Sequence, residues 1–448
     1  MLGRVVSLVA LSAGATFIAA AARHDTAIAA VGPDTGVTAV TFTHDVAPII
    51  QKNCQGCHSP GGIGPMPLLT YEHARRYGPL IKQMVQAREM PPYQYDTHIG
   101  IQQLQNDWRL SERDIAKIVQ WVDAGMPQGD PAEMPPTPPV PDAATYRLAA
   151  TYGRPPDLVI KSSKYTVPAV GQDRWWRPSV PAGLTADRCI KAIETRPSVP
   201  GRAVTHHANS TFVPGDVVTE PDAVGGGGAG SVRLSEYALG KIGEIVPADA
   251  CRIAPAGSNV LFDIHYFPNG KEIVDDQVEI GIWFHGPEVT PANRYRQTLG
   301  LYALQSGSGD FEIEPHGTLV TQGMHRFNTP VRIDSWQPHG HLRLVAKRLE
   351  VLYPDGRRET LSMVSNWNPG WHHSHVYADS VAPLLPAGSV LINTAWYDNT
   401  ERNLYNPDPD QWVGVGDRTA DEMSHAWIAV TQLDEAAYQR LLAKRAKK

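Results

Sequence analysis

A small all-α domain followed by two all-β sandwiches of jelly-roll type is the fold class this sequence predicts, on three observations. Apolar residues recur at helical spacing between about residues 41 and 130. A proline-rich stretch follows at 131–141, and beyond it short alternating runs are broken by Pro, Gly and Asn. A length of 448 residues suits roughly three domains. With 38 prolines and 39 glycines against 8 phenylalanines, strands and turns are favoured over long helices. The net charge of −6 gives no electrostatic reason to expect nucleic acid as a partner.

The elements follow in order. Arg4 is the only charge before an apolar run from Val5 to Ala22, and Ala27-Ile28-Ala29 fits a small-residue cleavage site. Residues 1–29 are therefore expected to be an export signal, with an uncleaved N-terminal membrane anchor as the alternative. The helical domain is expected over 38–130. His44 to Cys54 leads into Cys54-Gln55-Gly56-Cys57-His58, a CxxCH signature in a chain with only four cysteines. Its two thiols add across porphyrin vinyl groups and His58 supplies an axial ligand, which predicts haem c. A zinc knuckle or a redox CxxC, the plainer readings, would need partners that the neighbouring sequence lacks. Haem is attached in this way outside the bacterial cytoplasm, in agreement with the export signal.

Tyr71 to Glu89 carries Ala74, Tyr77, Ile81, Met84 and Val85 at helical spacing. A closing helix begins at Ser111, with Asp114 completing a capping box. Ile115, Ile118, Val119 and Val122 share one face before Gly125 and Pro127. Helix, CxxCH, loops, a methionine and a closing helix form the plan of a small cytochrome c domain. The sixth iron ligand is expected to be Met90 in Glu89-Met90-Pro91-Pro92-Tyr93, because two prolines stiffen the chain just after it. Met66 in Gly64-Pro65-Met66-Pro67 is the rival, and core packing is the plain reading of either.

Residues 131–141 read as a semi-rigid extended linker. Two β-sandwiches are expected over 142–290 and 291–448, with strands at Asp157–Ile160, Val260–Ile264 and Leu342–Val345. Gly225–Gly230, five glycines in six positions, reads as a surface loop, since a phosphate cradle would need a strand before it and a helix after it. Cys189 and Cys251 are left to form a disulfide in an oxidising compartment, although spacing alone does not show that they meet.

Histidines carry the second signal. In His339-Gly340-His341, alternate residues of a strand face the same way, so both imidazoles can reach one metal. In His206-His207, adjacent residues face opposite ways, so a shared metal would require a bulge, a twist or Nδ1 ligation. His265 lies in an apolar run, Asp263-Ile264-His265-Tyr266. Taken alone, His265 is more often a hydrogen-bonded core residue, the pairs are more often incidental than metal-binding, and Met423 is a core or surface methionine.

Together, His206-His207, Ile264-His265-Tyr266, Pro338-His339-Gly340-His341-Leu342-Arg343 and Asp421-Glu422-Met423 resemble, in order, the motifs of the copper type II, ascorbate-dependent monooxygenases. That family includes peptidylglycine α-hydroxylating monooxygenase and dopamine β-monooxygenase, and the resemblance covers about residues 155–430. Tyr397-Asp398-Asn399 and Asn406-Pro407-Asp408-Pro409 also look like stretches of bacterial members, and the CxxCH and Met-Pro-Pro pattern is similar to domains fused upstream of such modules. The resemblance implies two copper ions, one in each β-sandwich across a solvent-filled cleft. His206, His207 and His265 match an electron-storing copper, and His339, His341 and Met423 match the catalytic copper that binds dioxygen. Imidazoles hold copper in both oxidation states and a thioether favours Cu(I).

The sequence departs from that pattern at two places. His425 follows Met423 by two residues and in an extended segment would face the same copper. Trp371-His372-His373-Ser374-His375 puts three histidines where bacterial relatives tend to carry Gln and Tyr. These read as a solvated turn, an extra metal site or part of an altered substrate pocket.

The function expected is an exported, periplasmic, haem-linked dicopper monooxygenase that hydroxylates a C–H bond of a small organic or peptide-like substrate. Its electrons would come from a periplasmic donor through the haem, or from an ascorbate-like reductant. Two alternatives remain. One is a non-catalytic electron-transfer or copper-binding protein. The other is a surface-binding module displaying aromatic rows, for which Trp175-Trp176, Trp371 and Trp412 are the candidates.

Overall fold

A computed structural model describes residues 40–447 except 61–63, 106, 138–143, 216–230, 239–242, 247–249, 290–293 and 303–310. The signal segment 1–29, the end of the linker and the Gly225–Gly230 stretch lie outside the described residues. Among the described residues no helix is long and apolar enough to cross a membrane.

The helices follow local sequence rules. Ala47–Asn53 leads into the CxxCH turn, where the His58 N–H donates to the Cys54 carbonyl. Tyr71–Gln86 is capped by the Thr70 hydroxyl, which accepts from the His73 N–H. Glu112–Asp123 has Ser111 at its N-cap, accepting from the Asp114 N–H while its hydroxyl donates to the Asp114 carboxylate. Ile118 and Trp121 of that helix bury against Phe42, Val46, Ile50, Ala74, Ile81 and Val85.

The expected fold class needs correction. The chain is mostly β, 36% strand and 18% helix, and among the described residues no sizeable all-α domain is evident. Residues 40–448 cluster as one compact unit. The chain after Met90, expected to loop back within a cytochrome domain, instead joins the β core. Asp96 N–H donates to the Met363 carbonyl, Ile101 N–H to the Leu361 carbonyl and Gln105 N–H to the Val376 carbonyl. Tyr93 and Tyr95 are buried in the same cluster as Trp336, Trp367 and Tyr377. Their large apolar area finds its partner in the β layers, which a short helical segment could not provide.

The β part is likewise not two self-contained sandwiches. A ten-stranded sheet runs through both halves, in the order Leu158–Lys161, Val278–Phe284, Arg188–Pro197, Ala250–Ala254, Arg294–Tyr302, His425–Gln432, Val331–His339 and His375–Val376, with two further short strands pairing off this path. The halves join where Ala250–Ala254 and Arg294–Tyr302 pair in parallel, Ala250 opposite Arg294 and Cys251 opposite Tyr295. A five-stranded sheet holds Arg174–Trp176, Asn259–Tyr266, Thr205–Val213 and Val232–Ala238, with Ser179–Pro181 off its edge. A four-stranded sheet holds Thr318–Arg326, Val390–Asp398, Leu344–Leu352 and Arg358–Val364. Cys189 and Cys251 form a disulfide between adjacent strands, both side chains being buried. That bond fits an exported protein in an oxidising compartment.

Candidate metal centre

His207 and His265 are cross-strand partners on Thr205–Val213 and Asn259–Tyr266. The next pair is Tyr266 with Thr205, so His206 is an extra residue in a β-bulge. A bulge turns adjacent side chains toward one face, which is how neighbouring histidines come to share a site. The contacting atoms are Nδ1: His206 Nδ1 lies 3.3 Å from both His265 Nδ1 and His207 Nδ1. Ligand atoms of all three residues fall within 4.8 Å of one another. Two nitrogens bound to one tetrahedral cation at ~2.0 Å would be about 3.3 Å apart, so the donor set fits a metal ion.

Asp173 and Trp175 flank His265. His265 Nε2 is 3.1 Å from Asp173 Oδ2, and Thr419 also donates to that carboxylate. The His265 hydrogen bond, then that of Thr419, brings the Asp173 carboxyl down to about 2 despite partial burial. Asp173 therefore sits at Nε2, and Nδ1 is the His265 atom turned toward His206. Trp175 stacks on the other face of His265 at 4.2 Å between ring centres. Burial, reinforced by His265 and His341, pushes His206 down to about 4, and burial pushes half-buried His207 well below the ordinary range. Both are neutral ligands at pH 7.

The second set is built at a strand end. His339 closes the strand Val331–His339 and pairs across to His425, while Gly340 and His341 lie beyond it. Gly340 is tight against Leu344, 2.6 Å from where a Cβ would sit. The rings of His339 and His341 are 5.5 Å apart. His341 Nδ1 is 3.1 Å from the Asp421 carbonyl, which leaves Nε2 as its ligand atom. Met423 donates its N–H to Glu422, and its carbonyl accepts from the Tyr397 hydroxyl. His425 stacks on His339 at 4.5 Å and meets Trp427 edge-on at 4.9 Å.

Three positioning residues were assigned no role from the sequence: Glu422, which lies within Asp421-Glu422-Met423, and Lys347 and Asp173, which lie in none of the motifs. Glu422, fully buried, accepts from the backbone N–H groups of His341, Arg343 and Met423, tying both arms of the second set to one carboxylate. Lys347, also fully buried, donates to the carbonyls of His339 and His425. Burial brings its pKa down to about 7 against the pull of Glu422. Asp173 is the third.

The segment 371–375 is not a solvated turn, because His372, His373 and His375 are all buried. His372 Nδ1 lies 3.1 Å from His339 Nδ1, and its ring is 5.1 Å from His206 and 6.2 Å from His207. The two histidine sets therefore meet, His207 and His339 being 6.2 Å apart between ring centres. His373 and His375 point elsewhere, among Tyr93, Tyr95, Trp108 and Trp336, and none of their four ring nitrogens has a hydrogen-bond partner.

At the CxxCH turn, Cys54 and Cys57 are free thiols, and burial pushes Cys54 up to about 12. His58 is buried with Nδ1 2.9 Å from the Met66 carbonyl, which leaves Nε2 for iron. Met66 thus contributes a backbone contact on the Nδ1 side of the ring. Met90 lines a cavity of about 280 Å³ with Val85, Leu110, Ile115, Arg88 and Arg109. The rest of its lining is mixed, with Glu89, Gln94, Asp96 and Asn368 among it, and Cys54, Cys57 and His58 do not line this cavity. Trp412 is 62% exposed and lies apart from Trp175 and Trp371, which pack on histidines.

No family model matches the chain, and no curated protein matches it. Among solved structures it is similar to a particle of infectious bursal disease virus, Gt strain, at 10% identity, covering 64% of this chain and 76% of that one, with a TM-score of 0.17. An allantoicase follows at 9% identity, covering 52% and 81%, with a TM-score of 0.15. Likenesses this weak carry no argument about fold or function.

Proposed function

We propose that this chain is an exported, haem-linked dicopper monooxygenase that inserts oxygen into a C–H bond of a small organic or peptide-like substrate. The observation that carries the reading is the convergence of His206, His207 and His265 on one point, with His339 and His341 beside them. Hydroxylation consumes one dioxygen, two electrons and two protons, and returns an alcohol and water. When bound, copper at the two sets would supply dioxygen binding and one-electron steps, and a haem on Cys54, Cys57, His58 and Met90 would supply electrons singly.

The protein's own residues prepare this chemistry. Asp173 lies against His265 Nε2, leaving Nδ1 turned toward His206. Glu422 fixes the His341 and Met423 arms, and Trp367 donates Nε1–H to the His341 carbonyl. Gln94, four residues after Met90, bonds to the Asn368 N–H and the Trp371 carbonyl, beside His372. The haem-side segment is thus tied directly to the histidine loop, which suits electron delivery within one chain. A periplasmic donor or an ascorbate-like reductant would refill it, and an N-terminal signal would direct export.

A second reading, a copper-binding or electron-transfer protein without oxygen chemistry, is favoured by one observation: His339, His372 and His425 are enclosed, at 6%, 3% and 9% exposure. Copper per haem, counted by elemental analysis on haem-matured, copper-loaded protein, separates the readings when combined with dioxygen uptake. Two coppers, falling toward one in both His206→Ala and His339→Ala, with reduced haem reoxidised on adding dioxygen and substrate, is the expected result. Two coppers with haem that stays reduced would favour the second reading. One copper or none in folded, haem-loaded protein would refute the dicopper centre.

A further inference from the structure

We propose that His372 is a metal ligand that joins the two histidine sets into one coupled two-metal centre, rather than a substrate-pocket residue beside two isolated sites. The inference rests on the dicopper reading and concerns this chain's own residue toward it. The expectation from sequence was a cleft filled with solvent between two coppers. The structure fills that gap with an imidazole.

His372 is only 3% exposed, and its ring has histidines from both sets as neighbours. His339 lies 4.8 Å away, His206 5.1 Å and His207 6.2 Å between ring centres. A metal–nitrogen bond of ~2.0 Å plus the ring radius puts a ligand's centre about 3.2 Å from its ion, so two imidazoles on one cation have centres at most about 6.4 Å apart. All three neighbours satisfy that limit. The contacting atoms are two Nδ1 nitrogens at 3.1 Å, close to the spacing expected of two donors on one cation.

The loop carrying His372 is held where a ligand must be held. Trp367 N–H donates to the Val345 carbonyl, and its indole N–H donates to the His341 carbonyl. Trp371 N–H donates to the Asn368 carbonyl, and Gln94 clamps both ends of that turn. Four residues on, His375 and Val376 pair with Trp336 and Ser335 of the strand that ends in His339. His372 is thereby fixed from both sides against the same strand end as His339. An imidazole has a second nitrogen, and His206 lies edge-on to the His372 ring at 89°; binding the first set's metal through that nitrogen would release its N–H proton to solvent and make His372 a bridging imidazolate.

Electron paramagnetic resonance on the oxidised, haem-containing, copper-loaded protein tests this without any substrate. With two coppers bound per chain, the expected copper spectrum is that of an interacting pair, its integrated intensity well below that of two independent spins. His372→Ala is expected to restore two separate mononuclear signals, or to lose one copper with a single mononuclear signal left. His372→Gln, which keeps volume and hydrogen bonding, serves as the second variant if the alanine protein does not fold. Two bound coppers that give independent, full-intensity signals in the unaltered protein would overturn the proposal and leave the dicopper reading standing. Fewer than two bound coppers would overturn both.

Discussion

Acid should unfold the metal-free protein well above the pH at which its carboxylates titrate, and the histidine cluster sets the size of the effect. His206 and His373 are depressed to about 4, and His207, His339, His372, His375 and His425 well below the ordinary value, all chiefly by burial. In the unfolded chain each takes up a proton near pH 6.5. Below that pH the unfolded state binds more protons than the native state, so stability falls as pH falls, from about 6.5 down to about 4 and beyond. One unit below 6.5, each depressed histidine costs about 1.4 kcal/mol, and seven cost on the order of 10 kcal/mol, comparable with the whole stability of a typical protein. Lys347, depressed to about 7, exerts its own pH dependence above 7 and does not confuse this window. Glu194 and Asp276, both raised by burial, act in the opposite sense, but they are two groups against seven and begin from carboxylate values. The assay is urea denaturation of chelator-treated protein at pH 7.5, 6.5 and 5.5. Each histidine already costs about 0.4 kcal/mol at pH 6.5, where the unfolded ring is half-protonated, so the midpoint should fall measurably between 7.5 and 6.5 and collapse by 5.5. A midpoint flat to pH 5.5 would mean that these rings are solvated or already protonated in the native state, and the enclosed cluster would be refuted.

Three further perturbations follow from the same structure. Cys189→Ser should cost about 4 kcal/mol in urea denaturation by the chain-entropy estimate, because the disulfide closes a loop with a sequence separation of 62; an unchanged midpoint would show that the bond constrains nothing. Glu422→Gln should cost about 3 kcal/mol and weaken copper binding measured by titration, since an amide cannot accept from the N–H groups of His341, Arg343 and Met423 as a carboxylate does; wild-type affinity would place Glu422 outside the site's support. His375→Phe should raise the melting temperature and shed about 1–3 kcal/mol of unsatisfied polarity, because both ring nitrogens are buried without partners among Tyr93, Tyr95 and Trp336; a lower melting temperature would point to an unseen partner there.

What could be anticipated from the chain and what could not divide along the range of the interactions. The Ser111 cap and the helix after it depend on residues within a few positions of one another, and the structure has them as expected. The histidine pair His206-His207 named its own requirement for sharing a metal, a bulge, a twist or Nδ1 ligation; the bulge is present and the Nδ1 atoms face one another, but the bulge exists only because Asn259–Tyr266 pairs in that register, about sixty residues away. The domain division failed for the same reason. A proline-rich stretch signals a spacer locally, yet Tyr93 and Tyr95 lie before it and bury themselves beyond it, and a parallel pairing of Ala250–Ala254 with Arg294–Tyr302 fuses what periodicity alone separates. The roles of Glu422, Lys347 and Asp173 were illegible because such a carboxylate or ammonium is distinguished by what surrounds it in space: their partners lie in the motifs, but only the fold brings each charged group to them. His372 is the sharpest case. Its sequence neighbours read as a turn, and its place between the two histidine sets is fixed by a strand pairing to Trp336 and a clamp from Gln94, one from each side of the linker. A residue placed by contacts from two regions that the sequence treats as separate domains is where a feature peculiar to this chain would arise, and it is there that the metal centre should be tested first.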